Sequence, residues 1–255
     1  MSESSIPPPA PPPAPSPARP EPAGAGEPSP RAGALPPGDW GPAQVLAGLA
    51  LLLVVTLLQV GVVSIFDSEL ESIGGRISVQ VCLAASMVGV AFLMARPGSI
   101  ANAASLGFRR PVVPALRPAT LAYLAYIGCA ILIALLIQPE QDDVTEQLGY
   151  GDSATADVIV AALVIGVAPL TEELFFRGFM FAGLRRRMPF IAAAVISAGV
   201  WGLFHYTGSG TWGVVIQLAA FGVILSWLYQ RTGSIWPPVA VHALNNALAF
   251  AILTS

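Results

Sequence analysis

The sequence predicts an all-α fold, a polytopic bundle of about seven transmembrane helices behind a Pro-rich tail. Three observations predict it. Of 255 residues, 55% are hydrophobic and only 11% charged, with a mean hydropathy of +0.69, whereas an ordinary soluble domain is about 25% charged. The apolar residues gather in runs of roughly 20, the length a helix needs to cross a bilayer. The charges between those runs alternate in sign from loop to loop.

Taken in order, residues 1–39 are rich in Pro, Ala, Ser and Gly, as in Pro7-Pro8-Pro9 and Pro11-Pro12-Pro13. They hold too few large apolar groups to build a core and favour polyproline II, so a disordered, solvated tail is expected. No apolar stretch flanked by basic residues opens the segment, and membrane entry is expected to fall to the first helix. The helical domain is then 40–255. Its apolar runs are 42–66, 77–95, 119–137, 156–183, 190–205, 213–229 and 236–253. The fifth and sixth are short, and the last begins behind Pro237-Pro238, so a re-entrant segment is one option.

The charges order these runs. Arg96, Arg109, Arg110 and Arg117 follow the second run, Arg185, Arg186 and Arg187 the fourth, and Arg231 the sixth. Asp67, Glu69 and Glu71, and then Glu140, Asp142, Asp143, Glu146 and Asp152, occupy the loops between. The positive-inside bias places the arginine loops and the N-terminus in the cytoplasm of a multi-pass protein, expected in the plasma (inner) membrane. Cys82 and Cys129 each fall inside an apolar run and read as small buried hydrophobes. The net charge of −3 and the lack of a basic patch with interleaved aromatics argue against a nucleic-acid partner. The lipid bilayer and a membrane-associated polypeptide are the expected partners.

The fourth run carries Glu172, Glu173 and Arg177. A charge at mid-membrane costs on the order of 3 kcal/mol, so three within six residues call for a compensating role. Glu173 and Arg177 stand at i and i+4 with the acid first, the favourable order for a helical ion pair. Glu172 points about 100° away, toward no cation on its own helix. An acid left without a local partner suits a general base. Pro169 removes a backbone donor just upstream and kinks or restarts the helix there.

The only histidines, His205 and His242, also lie in apolar surroundings. Glu172 stands sixteen residues before Met188 in the Arg185–Pro189 turn, and His205 seventeen after it. At 1.5 Å per residue, two antiparallel helices bring both to about the same depth. His242 and Asn246, at i and i+4, share a face of the last helix. Glu172, His205, His242 and Asn246 are thus expected to converge inside the membrane. Each histidine alone has a structural reading, as a helix cap or a bond to a carbonyl across helices.

These residues resemble the CPBP intramembrane proteases, also called the CAAX protease or Abi family. The family pattern is E-E-x-x-x-R, then F-x-x-x-H, then H-x-x-x-N on successive helices. Here it reads Glu172-Glu173-Leu174-Phe175-Phe176-Arg177, Trp201-Gly202-Leu203-Phe204-His205 and His242-Ala243-Leu244-Asn245-Asn246, within 156–255. The resemblance implies an endopeptidase acting on prenylated (CAAX-type) or other membrane-associated polypeptides. Glu172 and His205 would activate a water, His242 and Asn246 would stabilise the oxyanion, and Glu173 and Arg177 would support the site. Trp201 in place of Phe keeps an aromatic wall, adds bulk and an N–H that are expected to reshape the substrate cleft, and is expected to leave the chemistry untouched. A divalent metal such as Zn²⁺ on Glu172, His205 and His242 stays open as an alternative, although no H-E-x-x-H pair is present. A catalytically silent scaffold or immunity-type binding protein of the same fold is the main rival reading, with a proton-coupled transporter behind it.

Overall fold

The computed structural model describes residues 35–36, 38–65, 72–95, 100–137, 139, 148–208 and 211–254. Most of the Pro-rich segment, Arg96, and the acidic loop residues Asp67, Glu69, Glu71, Glu140, Asp142, Asp143 and Glu146 lie outside them. The described residues form helices α1 (Pro42–Ile65), α2 (Ile73–Ala95), α3 (Leu116–Ile137), α4 (Ala154–Arg185), α5 (Phe190–Leu203), α6 (Trp212–Thr232) and α7 (Trp236–Leu253), with a short 3₁₀ helix at Ile100–Leu106. No strand occurs among them.

Six of the seven helices are long and apolar enough to cross a membrane, and α5 is not. Its 14 residues reach only about 21 Å, short of the ~30 Å hydrocarbon core. The sequence places two short runs here. The sixth instead extends to 21 residues, leaving α5 alone as the short one. The helical count of seven stands, six of them of membrane-crossing length.

Side chains are sorted as hydrocarbon solvent dictates. Leu53, Leu57, Leu58, Leu121, Leu124, Leu135 and Leu136 are exposed on the outer faces of α1 and α3, where lipid is as favourable a neighbour as protein. Cys82 is exposed and Cys129 half-buried, both as free thiols. The expectation that both are buried is therefore corrected: an apolar segment in a bilayer does not imply an interior position. The interior is instead aromatic, with Phe175, Phe176, Phe179, Phe181, Trp201, Phe221 and Tyr229 all sealed.

Small residues let α5 and α6 approach closely. A Cβ on Gly222 would stand 2.7 Å from Ala198 Cβ and 3.0 Å from Arg177 Nη2, and one on Gly202 2.6 Å from the Val215 carbonyl oxygen. At the arginine-bearing end, α6 stops at Gly233, whose φ of 63° suits a residue without a Cβ. The turn that follows is tied to the segment after the 3₁₀ helix, with the Ile235 N–H on the Gly107 oxygen and Arg109 Nε on the Gly233 oxygen. The residues just before α1 also pack there. Trp40 Nε1 donates to the Phe179 oxygen, and Arg186 lies over the Trp40 ring.

Candidate active site

Helix α4 is not a uniform α-helix. It passes through π-helical turns at Leu163–Val167 and Glu173–Phe181, with Ala168–Glu172 regular between them. Such turns inside α-helices are often found at functional sites. Pro169 accounts for part of the first. The Ala168 N–H bonds the Leu163 oxygen, and the next residue has no N–H to give. The Val164 carbonyl is thereby left without its usual helical donor, and Asn246 Nδ2 from α7 supplies one at 2.9 Å.

The two carboxylates face different helices. Glu173 and Arg177 are sealed from solvent, and Arg177 Nη1 meets Glu173 Oε1 at 2.9 Å. His242 Nδ1 meets the same oxygen at 3.0 Å, so the last helix is keyed to Glu173. Glu173 Oε2 and Arg177 Nε and Nη2 remain buried without partners, which makes the pair single-stranded rather than a fork. Glu172 is half-buried, and its Oε2 accepts a 2.6 Å hydrogen bond from Trp201 Nε1.

Trp201 is the hub of this arrangement. Its ring is buried beneath the Arg177 guanidinium at 4.4 Å. His205 and His242 lie against it edge-on, with centroids at 5.5 and 5.2 Å. The N–H that Trp adds over Phe is directed at the carboxylate that the sequence singles out. A phenylalanine has no such donor.

Both imidazoles are held by acceptors. His205 Nδ1 lies 3.0 Å from the Trp201 carbonyl oxygen, which can only accept, so Nδ1 carries a proton and, when the ring is neutral, Nε2 is left with a lone pair. The Glu173 carboxylate imposes the same tautomer on His242 when that ring is neutral. His205 stands just beyond the last turn of α5, half-buried.

The structure thus gathers Glu172, Glu173, Arg177, His205 and His242 around Trp201, while Asn246 is engaged one turn further on with Val164. Among the described residues no three His, Cys, Asp or Glu side chains come together as a metal-ligand set. His242 Nδ1 rests on Glu173 and His205 Nδ1 on the Trp201 carbonyl, the outer contacts that metal-bound imidazoles commonly make, so a divalent ion on Glu172, His205 and His242 would be held by Glu172 Oε1 and the two Nε2 atoms. Three polar residues that the sequence reading passed over, Tyr126, Gln217 and Asn245, cluster nearby. Their signal was available, since each is a polar residue inside an apolar run.

Residues 154–248 match the Rce1-like family. Its description is type II CAAX prenyl endopeptidase Rce1-like, so the resemblance drawn from the three motifs holds over that region. Within it lie α4, α5, α6 and the first 13 of the 18 residues of α7. A stretch of 89 residues is 29% identical to a Bacillus subtilis (strain 168) protein named "Putative membrane peptidase YdiL", covering 35% of this chain and 34% of that one. A stretch of 141 residues is 26% identical to "Uncharacterized protein YyaK" of the same strain, covering 52% of this chain and 46% of that one. The chain spans less than half the length of these curated relatives. No solved structure matches it. The Rce1-like match and the six membrane-length helices make this a multi-pass integral membrane protein.

Proposed function

We propose that the protein is an intramembrane endopeptidase that hydrolyses peptide bonds by water activated at Glu172 and His205. The observation that supports it most is the hydrogen bond from Trp201 to Glu172 with both histidines on the same indole ring. Glu172 Oε1 and His205 Nε2 are the free basic atoms of the cluster. A water between them gives a proton to one of the two as its oxygen attacks the scissile carbonyl. The carbonyl becomes an oxyanion. His242, resting on Glu173, can take a second proton on Nε2 and then donates a charge-assisted hydrogen bond to that oxygen. A donor so placed typically contributes ~3–4 kcal/mol to the transition state. Collapse of the intermediate breaks the C–N bond, and the proton taken from water passes to the leaving amine.

Glu173 and Arg177 position His242 and brace Trp201, and contact no substrate. Asn246 contributes first to the fold of α4, and its second amide hydrogen is the part left for the oxyanion. The family description supports prenylated CAAX-type polypeptides as substrates, and the positive-inside bias supports a plasma (inner) membrane protein with its arginine-rich end cytoplasmic. Hydrolysis of a farnesylated peptide by protein in detergent tests the assignment. Glu172→Gln is expected to insert into membranes normally and to lose turnover entirely, and retention of parental turnover by that variant would refute the proposal.

A further inference from the structure

The π-helical turns of α4 are held from outside the helix. Trp40 Nε1 donates to the Phe179 oxygen at 2.8 Å, and Ser197 Oγ on α5 donates to the Phe176 oxygen at 2.7 Å. Both carbonyls belong to the π tract Glu173–Phe181, and both donors are buried. Asn246 serves Val164 in the first tract in the same way. A side-chain donor inserted at a helix carbonyl competes with the backbone ladder and distorts the turn. A buried indole N–H needs some acceptor, and one such bond would be ordinary packing. Here donors from three separate elements reach α4, and all three land in its π turns.

The Trp40 donor is itself fixed in place. Its ring lies beneath the Arg186 guanidinium at 4.4 Å, and Arg186 Nη2 donates to the Pro36 oxygen at 3.0 Å. A Cβ on Gly183 would stand 2.6 Å from Trp40 Cδ1, and one on Gly48 2.8 Å from the Phe179 ring. The end of α4 that carries Phe179 and Gly183 thus has little room to turn. A π turn closes i→i+5, one residue more than an α turn. Relaxing it to α with that end fixed rotates the residues on the other side by about 100°. Glu172 and Glu173 stand on that side, and a slip of one position would carry both carboxylates off Trp201 and His242.

We infer that Trp40 and Ser197 are positioning residues of the active site, holding the π register of α4 that aims Glu172 at Trp201 and Glu173 at His242. Their effect on turnover rests on the endopeptidase reading above. Both side chains are buried and touch neither substrate nor the reacting bond. Trp40 precedes α1, so the residues in front of the helical bundle help to set the geometry of a site carried by α4.

The test combines steady-state hydrolysis of a farnesylated peptide by the full chain in detergent with amide hydrogen exchange read by mass spectrometry. Trp40→Phe and Ser197→Ala are each expected to lower kcat about three- to tenfold, the worth of one hydrogen bond, with KM moved less than about twofold. Exchange within Glu173–Phe181 should quicken by a similar factor while α3 keeps its protection. Because both donors act on one backbone register, the double variant should lose no more than about twofold beyond the more impaired single, whereas independent effects multiply. Gly213→Ala, whose methyl would meet Pro139 at 2.7 Å, loosens the fold away from α4 and should leave kcat unchanged. If Trp40→Phe does not fold, benzothienylalanine in place of Trp40 keeps the shape of the indole without its N–H. A wild-type kcat in either folded single, a loss confined to KM, or multiplied losses in the double variant would overturn the inference. An equal loss of kcat in Gly213→Ala would overturn it as well, by tracing the effect to general destabilisation. A wild type that cleaves no peptide removes the endopeptidase reading instead, and exchange then decides the register alone. Unchanged exchange of Glu173–Phe181 in both singles overturns it, and faster exchange sustains it.

Discussion

Replacing Trp201 with Phe isolates the feature that separates this chain from the family pattern. The change keeps an aromatic ring between Arg177 and the two histidines and deletes the indole N–H that holds Glu172 Oε2 at 2.6 Å. A hydrogen bond to a charged group is worth about 1.5–3 kcal/mol. Glu172 is half-buried, so water can replace part of what is lost and the lower end of that range applies. On the scale of about 1.4 kcal/mol per decade of rate, kcat should fall roughly 10- to 30-fold. KM should move less than about threefold, because the N–H orients the base and touches no substrate. The assay is steady-state hydrolysis of a farnesylated peptide in detergent, with thermal unfolding recorded in parallel. The smaller ring also leaves a void, so some loss of stability is expected. A kcat equal to that of the wild type in folded protein would refute the reasoning, as would a change confined to KM.

Two further predictions concern the scaffold. Asn246→Leu should lower the unfolding free energy by about 1–3 kcal/mol, because the Val164 carbonyl beside Pro169 loses its only donor from α7. A melting temperature equal to that of the wild type would show that water serves that carbonyl equally well. Gly222→Ala should destabilise the α5–α6 pair by about 1–3 kcal/mol, since the added methyl meets Ala198 and the Arg177 guanidinium. Gly199→Ala, with nothing within 4 Å of the new methyl, is the matched control and should leave thermal unfolding unchanged.

Features that depend on composition and on neighbours along one helix were legible in the string of residues. Hydropathy placed every helix to within a few residues, because crossing a hydrocarbon layer demands an apolar run of known length. The Glu173–Arg177 pair was legible because i and i+4 fall on one face wherever the helix packs. Those residues, with His205 and His242, were also marked simply by being polar in an apolar setting. Which partner each acquired came from the packing of the helices against one another. Two adjacent acids differ by about 100° on a helix, and nothing in the string says which direction faces α5 and which α7. The π-helical turns shift that register further, and they depend on contacts 82 residues away, such as Asn246 with Val164. The link between Glu172 and Trp201 spans 29 residues and that between Glu173 and His242 spans 69. Periodicity fixes a face only relative to its own axis, and the rotation of one helix against another is set by the packing of small residues such as Gly202 and Gly222.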